Sequence, residues 1–188
     1  TDASCSDQEN IQPCQPRPES IPLSFAQQRL WFLQEMQPET GAYNIPFAIE
    51  LEGLLDLDAF RKSLEAITAR HEVFRTHFGS SQGTPHQIIQ APKPWDLDVT
   101  DLRDTYDAEE KVRMEVVRHA TKPFALRRSP LLDVAIYRIE DQRFIVLFTL
   151  HHIIADGWST DILLKELGLN YRSQLLGQPM NLHPLPIQ

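Results

Sequence analysis

Between residues 21 and 176 the apolar positions recur at spacings that switch between helical and extended periods. Ser24 and Gln27, three apart, form a capping box at the head of Phe25-Ala26-Gln27-Gln28-Arg29-Leu30-Trp31-Phe32-Leu33, a helix that Pro38 and Gly41 end. Residues 46–51 then read as a strand. A second helix, capped near Asp56, places Leu57, Phe60, Leu64 and Ile67 on one face. Strand-like segments follow near 74–78 and 86–90, and a helix is predicted over about 107–120, with Ala108, Val112, Val116 and Ala120 at four-residue steps. Two β-rich runs, 131–139 and 144–151, are separated by the polar Glu140-Asp141-Gln142. The last helix is expected from about 159 to 176, with Ser159 as its cap and Asp161 near its positive end. Helices interleaved with strands predict an α/β sandwich lobe, a mixed sheet flanked by helices.

The flanks differ in kind. Residues 1–20 have no periodicity and carry Pro13, Pro16 and Pro18, so they read as a disordered linker. Residues 177–188, with Pro179, Pro184 and Pro186, read as an extended connector. The 188-residue chain is 41% hydrophobic and 23% charged, ordinary globular usage. Its 18 Lys and Arg against 26 Asp and Glu give a net charge of −8, which argues against broad nucleic-acid binding. No apolar run is long enough to span a bilayer and no secretory pattern opens the chain, so a cytoplasmic location and no membrane partner are expected. The two cysteines, Cys5 and Cys14, fit neither a disulfide framework nor a zinc motif, and no metal is expected.

The chemistry concentrates in one place. The strand 144–150 is apolar on both faces, as in the middle of a covered sheet, and it ends in His151-His152. Adjacent strand residues point to opposite faces, so one imidazole is expected to face a cleft while the other is tied into structure. Asp156 follows four residues after His152, with Gly157 next, where glycine permits a tight path or the close approach of a ligand. A strand end, a glycine turn and a helix start are where α/β folds place chemistry. Taken alone, the His-x-x-x-Asp spacing fits a solvated surface loop equally well.

Three segments together are specific. Residues 24–33 (SFAQQRLWFL), 70–78 (RHEVFRTHF) and 150–159 (LHHIIADGWS) resemble, in order, the first three signature segments of condensation domains of nonribosomal peptide synthetases. The resemblance implies the amino-terminal lobe of a chloramphenicol acetyltransferase-like fold, over 21–176, with a second lobe expected beyond residue 188 and a tunnel between the two. It implies amide bond formation between a donor acyl thioester and an acceptor aminoacyl thioester. Each would ride on the phosphopantetheine arm of a carrier protein, with no cofactor bound by the domain itself. Upstream and downstream carrier proteins, an adjacent adenylation domain and the second lobe are the implied partners, and the isolated lobe is expected to be inactive.

By family position His152 is the catalytic histidine, either as general base or, the preferred role, orienting the attacking amine and relieving charge on the tetrahedral intermediate. An α-amine has a reference pKa of roughly 7.7–8.0, so an appreciable fraction is already neutral. Gly157 is expected to offer a backbone N–H to the developing oxyanion. Asp156 is carried over as structural, paired with Arg75 or else Arg70, and His151 as structural. For Ser24, Gln27 and Arg29, capping and helix packing weigh as much as any site role; Trp31 and Trp158 are expected in the core or tunnel wall. The chain departs from the family pattern at Ala125, Ser129 and Asp133, where aspartate, glycine and arginine are common. The third segment lacks the paired aspartates of heterocyclising relatives and the tryptophan after the serine of epimerising ones, which favours a condensing member, and the subtype resembles those joining an L-configured donor to an L-configured acceptor. A coenzyme-A-dependent acyltransferase of the same superfamily and a noncatalytic docking module are the competing readings.

Overall fold

The computed structural model describes residues 16–18, 20–178 and 182–188. The linker read over 1–20 and both cysteines fall almost wholly outside the described residues. Two sheets share the body. Strand β7 (Arg143–His151) is the second strand of a four-stranded sheet, between β2 (Asn44–Glu52) and β6 (Leu132–Glu140), with β5 (Val99–Asp101) parallel to β6 at the edge. A smaller antiparallel sheet joins β1 (Ile21–Pro22), β4 (Thr84–Ile89) and β3 (Thr76–Ser81). Strands β3 and β4 form a hairpin whose turn residues, Gln82 and Gly83, both take positive φ, at 49° and 81°. That is the two-residue geometry whose twist matches the flanking strands. The two strand-like segments of the sequence are thus two arms of one hairpin, displaced toward its turn, and a 3-10 turn occupies Glu72–Arg75.

Burial explains why β7 reads as a continuous apolar run. Its Phe144, Val146, Phe148 and Leu150 enter the main core with Leu64 and Ile67 of helix α2 (Leu57–Arg70) and Leu163 and Leu167 of helix α4 (Gly157–Leu175). The opposite face sends Leu147 into a second cluster with Tyr137, Ile139, Leu102 and Val112 of helix α3 (Ala108–Thr121). A strand covered on both sides has no solvent face to mark with polar residues. At roughly 25 cal/mol per Å² of apolar area, these two clusters are the main favourable term of the lobe.

Helix α1 (Phe25–Met36) opens with both bonds of the predicted capping box: the Gln27 amide donates to Ser24 Oγ at 3.2 Å and the Ser24 amide to Gln27 Oε1 at 3.0 Å. Helix α2 is capped by Asp56, whose carboxylate accepts from the Ala59 amide. The last helix corrects the sequence reading, since it begins at Gly157 with Asp156 as its cap, and Ser159 is the third helical residue. An earlier carboxylate won over the hydroxyl because it reaches the amide three residues on.

The start of β2 and the loop before it close onto the end of α3. Asn44 Nδ2 donates to the carbonyls of Ala120 at 2.9 Å and Lys122 at 2.8 Å, which otherwise end the helix without partners. A Cβ on Gly41 would lie 2.5 Å from the Thr121 carbonyl oxygen, backbone against backbone. Gly41→Ala is therefore expected to destabilise the lobe by about 1–3 kcal/mol through forced separation of this loop from α3. A thermal melt unchanged from wild type would show that the two segments separate without cost.

Candidate active site

The site is the connection from β7 to α4. The strand leaves the sheet through a turn closed by the Ile154 amide on the His151 carbonyl at 3.0 Å. Ile153, Ile154 and Ala155 are all buried, so the turn is held down by its apolar side chains while its polar ones are sorted outward or inward. The two histidines go opposite ways. His151 is fully buried and His152 is exposed. The His152 amide donates to the Tyr43 carbonyl at 2.8 Å, which ties the turn to the segment before β2.

The His152 ring is oriented by the loop itself. Its Nδ1 lies 2.7 Å from the Ala155 carbonyl oxygen. A carbonyl only accepts, so Nδ1 carries a proton, and in the neutral ring the free lone pair is the one on Nε2. The His152 side chain lines an open cleft of about 570 Å³, together with Ser24, Gln27, Arg29, Tyr43 and Asp156 among others. Gln27 does more than cap α1: its Nε2 donates to the Ile153 carbonyl at 3.3 Å, which joins the first signature segment to the third.

His151 is held from both nitrogens. Nδ1 accepts from the Ile153 amide at 3.1 Å, and Nε2 lies 3.4 Å from Gln34 Oε1, between the rings of Tyr43 and Phe124. Burial, with a smaller contribution from the neighbouring His152, pushes its pKa down to about 4.

The ion pair expected between Asp156 and Arg75 or Arg70 does not form among the described residues. The Asp156 carboxylate is exposed and accepts from the Ser159 hydroxyl at 2.6 Å and the Ser159 amide at 2.8 Å, and these bonds lower its pKa. Arg75 instead donates to the Gln90 carbonyl at 2.5 Å and reaches Glu72 at 3.4 Å, closing the base of the β3–β4 hairpin. Arg70 pairs with Glu166 of α4 at 3.3 Å and donates to the His183 carbonyl at 2.7 Å, while His71 Nε2 lies 2.8 Å from Glu166. The second segment therefore does support α4, but more than two turns along the helix from the active-site loop. An N-cap carboxylate at the surface is satisfied locally, and a largely enclosed glutamate is the group that needs distant cations.

Gly157 stands at the first position of α4, where an α-helix leaves amide N–H groups without intrahelical partners. Its backbone is ordinary helix and an added Cβ would meet nothing within 4 Å, so neither a tight path nor packing demands glycine there. Trp158, expected in the core or tunnel wall, is 76% exposed; Trp31 is buried against Phe78 with the Arg127 guanidinium 5.0 Å over its ring. At the divergent positions, Asp133 pairs with His119 at 3.2 Å and Lys122 at 3.5 Å. Sequence reasoning missed Gln34 and Tyr43. The first carried a signal, a glutamine three residues after Trp31 on the buried stripe of α1, and the second acts through its backbone, which no side-chain pattern announces.

Two measurements check this arrangement. Asp156→Ala is expected to cost about 1 kcal/mol as a lost cap, and its effect should add to that of Arg75→Ala. A coupling well above about 0.5 kcal/mol in the double mutant would restore the ion pair. For His151 the folded pKa lies below the unfolded one, so the unfolded chain binds the extra proton. Stability is complete above about pH 6.5 and is lost as pH falls toward 4, by roughly 3 kcal/mol for this group. Melts of wild type and His151→Gln should converge as pH falls from about 7 to about 4; a constant gap would mean that His151 is charged in the fold.

Comparison with known proteins bears on the whole chain. The condensation-domain family model matches residues 18–187. A linear gramicidin synthase protein of Brevibacillus parabrevis is 45% identical over 181 residues, which are 95% of this chain and 2% of that protein. Malpibaldin synthetase of Mortierella alpina is 39% identical over 180 residues, 95% of this chain and 3% of that protein. The starter condensation domain of rhizomide synthetase superposes with a TM-score of 0.84 at 22% identity, covering 90% of this chain and 43% of that one. The X-domain from teicoplanin biosynthesis gives 0.85 at 27% identity, covering 95% and 38%. The chain thus spans a few per cent of its curated relatives and about two-fifths of the matched structures. Its sandwich of mixed sheet and helices is the chloramphenicol acetyltransferase-like fold at the extent of one lobe, and the chain belongs to the condensation-domain family of nonribosomal peptide synthetases.

Proposed function

We propose that this lobe carries the catalytic histidine for amide bond formation between a donor acyl thioester and an acceptor aminoacyl thioester, both held on phosphopantetheine arms of carrier proteins. The observation that carries the reading is His152, exposed in the cleft with Nδ1–H fixed on Ala155 and Nε2 free to accept.

The acceptor nitrogen attacks the thioester carbon, a C–N bond forms, and the carbonyl oxygen takes up charge. His152 Nε2 accepts a hydrogen bond from the attacking amine, which aims its lone pair and relieves the positive charge that builds on nitrogen. The Gly157 amide, at the positive end of α4, is the donor assigned to the oxyanion. Collapse breaks the C–S bond, and the proton given up by the amine ends on the departing sulfur as a carrier thiol. Asp156 and His151 keep the loop in shape, with Arg75 and Arg70 further out. Because proton transfer contributes little here, much of the rate comes from holding two tethered substrates in line. A single open cleft does not do this, so a second lobe is assigned the remaining wall. The parent synthetase would also supply both carriers and an adenylation domain.

In a module that carries this lobe with its second lobe, His152→Ala is expected to slow dipeptidyl-thioester formation about a hundredfold through lost orientation of the amine, while leaving the melt unchanged. The 188-residue chain alone, mixed with loaded donor and acceptor carriers, is expected to give no product above a protein-free control. Near wild-type turnover by His152→Ala would remove the assignment.

A further inference from the structure

Gln34 has no place in the chemistry above, yet it is one of the most deeply buried polar side chains of the lobe, 4% exposed in the last turn of α1. Its partners leave it a single orientation. Nε2 donates to the Pro38 carbonyl at 3.1 Å and the Thr40 carbonyl at 3.3 Å, both groups that can only accept. The amide oxygen is therefore the atom that faces His151 Nε2, at 3.4 Å. An oxygen cannot donate, so His151 must carry its proton on Nε2. Nδ1 is then bare, and it is bare where the Ile153 amide needs an acceptor, 3.1 Å away.

We propose that Gln34 is a positioning residue: it selects the Nε2–H tautomer of His151 and, through the Ile153 amide, holds the turn on which His152 stands. The argument is one of polarity carried along a chain of bonds. Two backbone carbonyls set the glutamine, the glutamine sets the imidazole, and the imidazole sets a backbone amide adjacent to the catalytic residue. The opposite tautomer would set an N–H against the Ile153 N–H and leave Nε2 facing the Gln34 oxygen, lone pair against lone pair. In a buried site both mismatches go uncompensated by water. The Ile153 carbonyl is meanwhile held directly by Gln27 of α1, while its amide is held by His151, whose other ring nitrogen faces Gln34. Helix α1 thereby reaches the catalytic turn through two glutamines, one bonded to Ile153 and the other acting through His151.

The consequence for catalysis rests on the condensing role of His152, but the tautomer does not, and the tests separate the two. In the unmodified chain, long-range ¹H–¹⁵N correlation of the ring nitrogens should show His151 with the proton on Nε2 and a bare Nδ1. A protonated Nδ1 overturns the proposal before any mutation is made. In Gln34→Met, which keeps the length and removes the polar groups, the bare Nδ1 signal should shift toward tautomer averaging. Exchange of the Ile153 amide should quicken about three- to tenfold, the loss of one hydrogen bond's net worth, while Val146 in mid-strand is unchanged. A module with Gln34→Met should then lose kcat with KM for both carriers unmoved. Should the variant unfold, the wild-type tautomer still decides, since a protonated Nδ1 on His151 overturns the proposal. Unchanged Ile153 exchange and tautomer in a folded Gln34→Met contradict the proposal; tautomer averaging with unchanged kcat contradicts only the catalytic consequence.

Discussion

A neutral imidazole with no access to water is the constraint around which the active-site end of this lobe is arranged. His151 is 0% exposed, and both its ring nitrogens need partners of the right polarity. Meeting that need draws in Gln34 from α1, the Ile153 amide from the turn, and the rings of Tyr43 and Phe124 from two further segments. The same constraint forces the following residue outward. With His151 turned into the core and Ile153 to Ala155 buried after it, His152 is the residue of the turn left at the surface, and its amide is used on Tyr43. The catalytic candidate is exposed because its neighbours are not.

Charge is distributed by a different logic. Glu166 of α4 is largely enclosed and draws Arg70 and His71 from the end of α2, so two helices are clamped away from the site by an ion cluster with 12–18% exposed side chains. Such a cluster contributes little net stability against apolar residues of the same volume, but losing one partner leaves the others unpaired. Asp156 lies outside this cluster altogether. It caps α4 from the surface and starts the helix at Gly157, which leaves the Gly157 amide at the helix end nearest the histidine. The cap is thus the local interaction that sets where the positive end of α4 falls.

Much of this was legible in the chain. The capping box at Ser24, the cap at Asp56, the face of α2 and the doubly buried β7 follow from spacing and composition; the opposite placing of the two histidines was expected from strand alternation, but the turn after His151 is what produces it. What was not legible has physical reasons. The Asp156 cap was missed because Ser159 is also a good capping residue, and two candidates three apart cannot be ranked without the backbone. The partners of Arg75 and Arg70 were misassigned because a cation in a motif says that an acceptor exists, not that it belongs to another motif; Gln90 offers a carbonyl and Glu166 lies well along a different helix. Asp133, unlike the arginine common in the family, becomes intelligible only beside His119 and Lys122.

The central claim is that the turn fixes the His152 ring with Nδ1–H on the Ala155 carbonyl, which leaves Nε2 as the bare nitrogen of a neutral side chain that lines the cleft. Its most direct test is the ring-nitrogen spectrum of His152 in the neutral form. The account predicts a protonated Nδ1 and an unprotonated Nε2, unchanged when a carrier-bound acceptor is absent. A ring protonated on Nε2, or one averaging freely between tautomers, would contradict it.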